Sequence, residues 1–286
     1  MSFIQIAILA IVQGAAELLP VSSSAHVIVA EKLLGLNPTA PQMTLLLVML
    51  HTGTMFAVLT YFWGSWKKHF FYSRPAFWKF AGLVTVATAG TGVVGLILLY
   101  TIEKVVFRGV PHAQVELLFG NMPLIAAALA AVGLFIIYAG MRQDRNPRPK
   151  VLGVKESAWI GAIQGVCLPF RGFSRSGATI SIGLVMGVAK DRLEEFSFAL
   201  AVVLTPPVIG REVWRLLQAD APLRLHGAGL FALFYPSLLG MVLSFLSGLL
   251  ALKWLSRWLE RGLWQLFGCY CLLFAGVVIS LYMVGF

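Results

Sequence analysis

Charge is scarce in this sequence. Asp, Glu, Lys and Arg supply 12% of its 286 residues, about half the usual share, which excludes an ordinary water-facing surface. Cysteine is scarcer still. Cys167, Cys269 and Cys271 are odd in number and have no His or Cys at zinc-like spacing, so they read as small buried hydrophobes and carry no redox argument. The apolar start Phe3 to Val12 has no basic residues before it and no small-residue cleavage site after it, so a removed signal peptide is not expected. Short alternating segments of the barrel type are missing too. What is abundant is apolar: 59% aliphatic, aromatic and cysteine residues, with mean hydropathy +0.85. Repeated runs of roughly 20 such residues are long enough to cross the ~30 Å hydrocarbon core as helices. The fold class is therefore all-α, a polytopic membrane protein. The net charge of +10 does not argue for nucleic acid, because Lys and Arg cluster in short loops between apolar runs, where they set membrane orientation.

Five spans are bounded by charge, Gly or Pro: Met43 to Phe62, Ala81 to Tyr100, Met122 to Met141, Leu230 to Leu252 and Gln265 to Val284. A sixth, Phe196 to about Leu217, is interrupted by Pro206 and Pro207. Two further apolar stretches, Phe3 to Val29 and Ala158 to Val188, are broken by polar residues, Pro and Gly, and neither half of either is long enough to cross. The loops Lys67 to Lys79, Arg142 to Lys155 and Lys253 to Arg261 are basic and read as cytoplasmic. In Thr101 to Gly120 the charges cancel, and that segment reads as external. By this count both broken stretches enter and leave on one side, the first outside and the second inside, and both termini lie outside. The chain thus reads as one membrane domain, 1–286, an inverted repeat of two halves (1–150 and 151–286), each a re-entrant helical hairpin plus three transmembrane helices. A sequence echo agrees: Gln13-Gly14 recurs as Gln164-Gly165, 151 positions on, and Ser22 as Ser174, 152 positions on.

Opposed hairpins would bring their polar tips together deep in the membrane, where ionisable groups are functional candidates. Under the repeat, Ser23 corresponds to Arg175, a hydroxyl facing a fixed cation. Gln13 and Glu17, four apart, share a helix face and are able to hold one hard cation by oxygen. Ser23 and His26, three apart, place an imidazole beside a hydroxyl, the arrangement that activates a serine. Pro20 and the serine run resemble a helix start, whose N–H groups favour an anion. Ser174, Arg175, Ser176 and Thr179 add hydroxyls and a guanidinium suited to phosphate, with Ser22 facing them. The plainer alternatives are that Ser22, Ser24 and Ser176 are caps or packing residues and that Glu17 and His26 satisfy each other. His51 and Arg211-Glu212 read as structural. Lys67 with Arg74-Pro75 imitates the opening of a type 2 phosphatidic acid phosphatase signature, but the order of its parts is wrong, so that match is set aside.

With these residues in place, the chain resembles, over nearly its whole length, the bacterial undecaprenyl-diphosphate phosphatases, the BacA or UppP family associated with bacitracin resistance. Gln13-Gly14-Ala15-Ala16-Glu17-Leu18-Leu19-Pro20-Val21-Ser22-Ser23-Ser24-Ala25-His26 is similar to that family's (E/Q)-G-x-x-E-x-L-P-V-S-S-x-x-H, and Ser174-Arg175-Ser176-Gly177-Ala178-Thr179 to its P-G-x-S-R-S-G-A-T. The resemblance implies hydrolysis of a polyprenyl diphosphate to the monophosphate carrier of cell-wall synthesis, in the bacterial inner membrane, with Mg²⁺ or Ca²⁺. It implies Ser23 as nucleophile, His26 as acid/base partner, Arg175 on the phosphoryl oxygens, and Glu17 and Gln13 at the metal. The lipid tail would lie between spans; a homodimer is compatible with this, and nucleic acid is not expected.

Two departures stand out. Gln13 occupies a position where many members have Glu, which gives a cation less charge. Pro169-Phe170-Arg171-Gly172-Phe173 replaces Pro-Gly-x and puts Arg171 in the proline position, either as a second phosphate contact or reaching the headgroup layer. The rival reading from the repeat is a transporter that flips the polyprenyl phosphate.

Overall fold

Short, short, long, long, long: the helices follow this order twice along the chain. The computed structural model describes residues 1–36, 41–108, 115–143, 150–218 and 230–285. Among these, the first series is α1 (Phe3–Leu18), α2 (Ser23–Leu33), α3 (Pro41–His69), α4 (Arg74–Thr101) and α5 (Met122–Gln143). The second is α6 (Val154–Cys167), α7 (Arg175–Val185), α8 (Lys190–Gln218), α9 (Leu230–Glu260) and α10 (Trp264–Met283). Portions of two expected loops, 109–114 and 144–149, and the side chain of Glu212 lie outside the described residues.

The helix ends follow local chemistry. Ser2 and Gln5 form a reciprocal capping box at the start of α1. Ser73 caps α4 ahead of Pro75, and Ser174 caps α7. At 16 residues, α1 is about 24 Å long, short of the hydrocarbon thickness, and α2, α6 and α7 are shorter. Among the described residues six helices are long and apolar enough to cross, and they carry exposed large apolar side chains such as Leu96, Leu250 and Leu273, as lipid demands of an outer surface. The chain is a multi-pass helical membrane protein.

Several expected boundaries move: the crossing stretch of α3 runs on to His69 and that of α4 spans Arg74–Val105, so helix takes in most of the basic loop expected at Lys67 to Lys79. The sixth span begins at Lys190 rather than Phe196, because Glu194 and Glu195 in its first turns are buried with polar partners. Glu195, 3% exposed, meets His69 Nδ1 at 2.8 Å and Arg192 Nη1 at 3.3 Å. Ser256 donates to Glu194 at 2.5 Å and accepts from the Tyr61 hydroxyl at 3.0 Å. This polar cluster joins α3, α8 and α9, where a hydropathy count sees only charge. Pro206 and Pro207 also leave α8 unbroken; the cost falls on the Val202 and Val203 carbonyls, which lose their helical donors. Likewise α9 continues beyond Leu252 to Glu260, with its crossing stretch at Tyr235–Glu260. Of the cysteines, Cys271 is buried and Cys167 half-buried, but Cys269 is exposed, on a helix whose outer face is apolar.

Packing crosses between the two series. α1 lies on α9, α6 lies on α4, and α5 lies on α10. These approaches are close enough to need glycine. A Cβ on Gly14 would collide with the Ser244 backbone of α9, and one on Gly161 with the Ala87 carbonyl of α4, while Thr91 donates to Gly161 O at 3.0 Å. Gly161→Val should therefore lower stability by about 1 to 3 kcal/mol through forced separation of α4 and α6. Thermal unfolding in detergent checks this, and a wild-type midpoint would refute the close packing.

Candidate active site

A tight turn joins α1 to α2. Val21 N donates to Leu19 O at 2.8 Å, and Ser22 follows at φ 68°, the one non-glycine positive φ among the described residues. Such a conformation costs about 1 to 3 kcal/mol unless its surroundings hold it. Here they do. The His26 ring, whose Nδ1–H donates to the Ser22 carbonyl at 2.8 Å, is stacked on Phe274 with centroids 3.8 Å apart, and its Nε2 accepts from the Tyr270 hydroxyl at 2.8 Å. Both imidazole nitrogens are thus engaged by Ser22 and α10, neither by Ser23 or Glu17, and His26 is not part of the cavity wall.

The bend aims Ser23, first residue of α2, back at Glu17 in the last turn of α1. Ser23 Oγ donates to Glu17 Oε2 at 2.5 Å. Gln13 Nε2 donates to the same oxygen at 3.3 Å from behind, 1% exposed and off the cavity wall. The other oxygen, Oε1, pairs with Arg175 Nη2 at 3.1 Å. Arg175 opens α7, and its Nη1 donates to the Ser197 carbonyl of α8 at 3.5 Å. Thr179, fully buried, donates to Arg175 O at 2.8 Å and meets Ser197 Oγ at 2.6 Å; it sets α7 against α8 and does not line the cavity.

The two bends also touch each other. Ser176 Oγ donates to Leu19 O at 3.3 Å, and Gly172 N donates to Ser24 Oγ at 3.4 Å. Ser174 caps Gly177 N at 3.2 Å. Between the bends lies a cavity of about 300 Å³ with Glu17, Ser22, Ser23, Ser174, Arg175 and Ser176 on its wall. Ser22 makes no side-chain cap bond, so the first amides of α2 keep an anion-attracting character.

Two further residues stand on this wall: His51, which the sequence suggested was structural, and Gln164, which it marked only as the echo of Gln13. His51, in the middle of α3, has Nε2 3.9 Å from Glu17 Oε2, and its Nδ1–H donates to Leu47 O at 2.8 Å. In the neutral ring that bond puts the proton on Nδ1 and makes Nε2, which faces the carboxylate, the acceptor. Its placement mid-span was the available signal. Gln164, repeat counterpart of Gln13, is fully buried, donates to Thr91 Oγ1 at 2.9 Å, and has an Oε1 without a hydrogen-bond partner.

For a metal, the donors around Glu17 are hard oxygens: one carboxylate and several hydroxyls. Among the described residues no three His, Cys, Asp or Glu side chains gather. This set does not build a closed cage. It fits a hydrated divalent cation that takes most of its remaining ligands from phosphate.

Comparison with known proteins agrees with this architecture. The family described as "Bacitracin resistance protein BacA" matches residues 6–277. The chain is 57% identical, over 98% of both chains, to a protein of Acinetobacter baylyi named undecaprenyl-diphosphatase 2. It is 30% identical to an undecaprenyl-diphosphatase of Parabacteroides distasonis over 97% of both chains. To one of Methanobrevibacter smithii it is 31% identical over 95% of this chain and 94% of the other. With a match that runs through both bends and nearly every helix, the chain belongs to the BacA family.

Proposed function

We propose that this protein is an integral membrane phosphatase that hydrolyses undecaprenyl diphosphate to undecaprenyl phosphate and inorganic phosphate, returning the lipid carrier to cell-wall synthesis. The observation that carries this reading is the meeting of a hydroxyl, a carboxylate and a guanidinium, from Ser23, Glu17 and Arg175, on one cavity. The relatives named undecaprenyl-diphosphatase support it.

In this mechanism the terminal phosphoryl group displaces Glu17 from Arg175 and takes the guanidinium bidentately. Ser23 Oγ attacks phosphorus and gives its proton to Glu17 Oε2. The anhydride P–O bond breaks, and its electron pair stays on the lipid monophosphate. Water then attacks the phosphoserine and passes a proton to His51 Nε2. The Oγ–P bond breaks, Ser23 regains its proton from Glu17, and inorganic phosphate leaves as His51 releases the water's proton to the phosphate or to solvent, which restores the starting state. His26 acts here by position, holding the strained Ser22 so that Ser23 faces Glu17. Glu17, oriented by Gln13, would anchor a Mg²⁺ or Ca²⁺ arriving with the diphosphate, which supplies further charge neutralisation.

The exchange of partners between the series, α1 on α9 and α6 on α4, supports an inverted repeat with the two short-helix pairs as re-entrant hairpins. We place the protein in the bacterial inner membrane with both termini external, as the basic loops suggest. The test is phosphate release by the purified protein from polyprenyl diphosphate. Turnover is expected, lost with chelator and restored by Mg²⁺ or Ca²⁺. No release with either cation would overturn the function, and full turnover in chelator would overturn the metal.

A further inference from the structure

Among the described residues two guanidinium groups line the cavity, and the mechanism above uses only one. Arg171 lies in the turn between α6 and α7, four residues before Arg175, on the cavity wall yet exposed, which places it at the rim. It is not a loose surface side chain. Its Cζ sits 4.4 Å over the Phe119 ring, a cation–π contact that fixes the plane of the group. Its backbone is fixed as well. The next residue, Gly172, has φ 99°, a Cβ there would run into Ile125 O of α5, and its N–H reaches Ser24 Oγ of the opposite bend at 3.4 Å. Glu31 of α2, 4% exposed with Oε1 lacking a hydrogen-bond partner, attracts Arg171 from one side. Arg171 also stands where the resembled motif has proline, so this second cation is a feature of the chain itself.

The diphosphatase reading leaves one phosphate without a partner. Arg175, Ser23 and Glu17 serve the terminal phosphoryl group, while the phosphate that remains on the lipid must lie between them and the cavity opening. We propose that Arg171 holds this second phosphate, so that the site is a two-cation clamp specific for diphosphates over monophosphates. The inference rests on the diphosphatase reading. It adds that Arg171 binds both the inner phosphate of the substrate and the phosphate of the lipid product.

Arg171→Gln and Arg171→Lys test it by steady-state phosphate release from polyprenyl diphosphate, by inhibition with polyprenyl phosphate, and by release from a simple aryl monophosphate. In Arg171→Gln, KM for the diphosphate should rise about tenfold to a hundredfold, as for loss of one charge-assisted hydrogen bond. Product inhibition should weaken by a similar factor, and monophosphate hydrolysis should stay unchanged. Arg171→Lys should recover part of the loss. An unchanged KM and product inhibition overturns the clamp, and so does an equal loss on both substrates, which would mean a general collapse of the cavity. A wild-type protein that releases phosphate from the monophosphate but not from the diphosphate would instead remove the diphosphatase reading on which the clamp depends.

Discussion

Arg175→Ala should reduce phosphate release by about 10³-fold or more, the scale at which a guanidinium stabilises a transferring phosphoryl group. The loss has a second, separable part. Arg175 is the partner of a largely buried Glu17, and its side chain also reaches the Ser197 carbonyl, so its removal strands a carboxylate inside the protein at a cost of about 3 to 5 kcal/mol. Unfolding in detergent should therefore shift along with activity. Adding Glu17→Gln to Arg175→Ala removes the stranded charge and should restore much of the stability while leaving the protein inactive. Arg175→Lys should remain far below wild type, because a point charge cannot grip phosphate along two parallel bonds. Substantial turnover in Arg175→Ala would remove the guanidinium from the chemistry.

Ser23→Ala should cost at least as much, about 10⁴-fold or more, as for loss of a nucleophile that acts as one unit with its base. Its effect on folding should be small. Glu17 retains Arg175 and Gln13 as partners, and one hydrogen bond is worth only about 1 kcal/mol. Rapid quenching with substrate labelled on the terminal phosphate should trap label on wild-type protein and none on Ser23→Ala. Wild-type turnover in Ser23→Ala would end the nucleophile assignment, and an inactive variant without any trapped label in the wild type would leave Ser23 orienting a water instead.

These residues were visible in the sequence because the signals that mark them are local. Two apolar runs broken at Pro20 and around Arg175 disclosed the short-helix pairs, and the motifs at Gln13 to His26 and Ser174 to Thr179 disclosed the groups on the cavity wall. What stayed hidden depends on partners far along the chain. Helical spacing puts His26 next to Ser23, yet the ring turns to a tyrosine 244 residues away, a choice made by the arrival of α10 beside α2. His51 looked like a lone polar residue in an apolar span until α3 brought it within reach of Glu17. The first turns of α8 read as a loop because Glu194 and Glu195 are charged, and only the neighbouring His69 and Ser256 make them interior residues.

The way α1 rests on α9 has a bearing on biosynthesis. The Ser23 bend emerges from the ribosome first, but the helix that covers α1 and the ring that stacks on His26 belong to residues 230–283, which are made last. Until then the first hairpin has its partners from α3 and α7 but lacks the α9 face that covers α1 and the α10 ring that holds His26, so the site is completed only when the last two helices pack. Nonsense mutations that delete only the final two helices should accordingly be as damaging as loss of the nucleophile, by way of degradation.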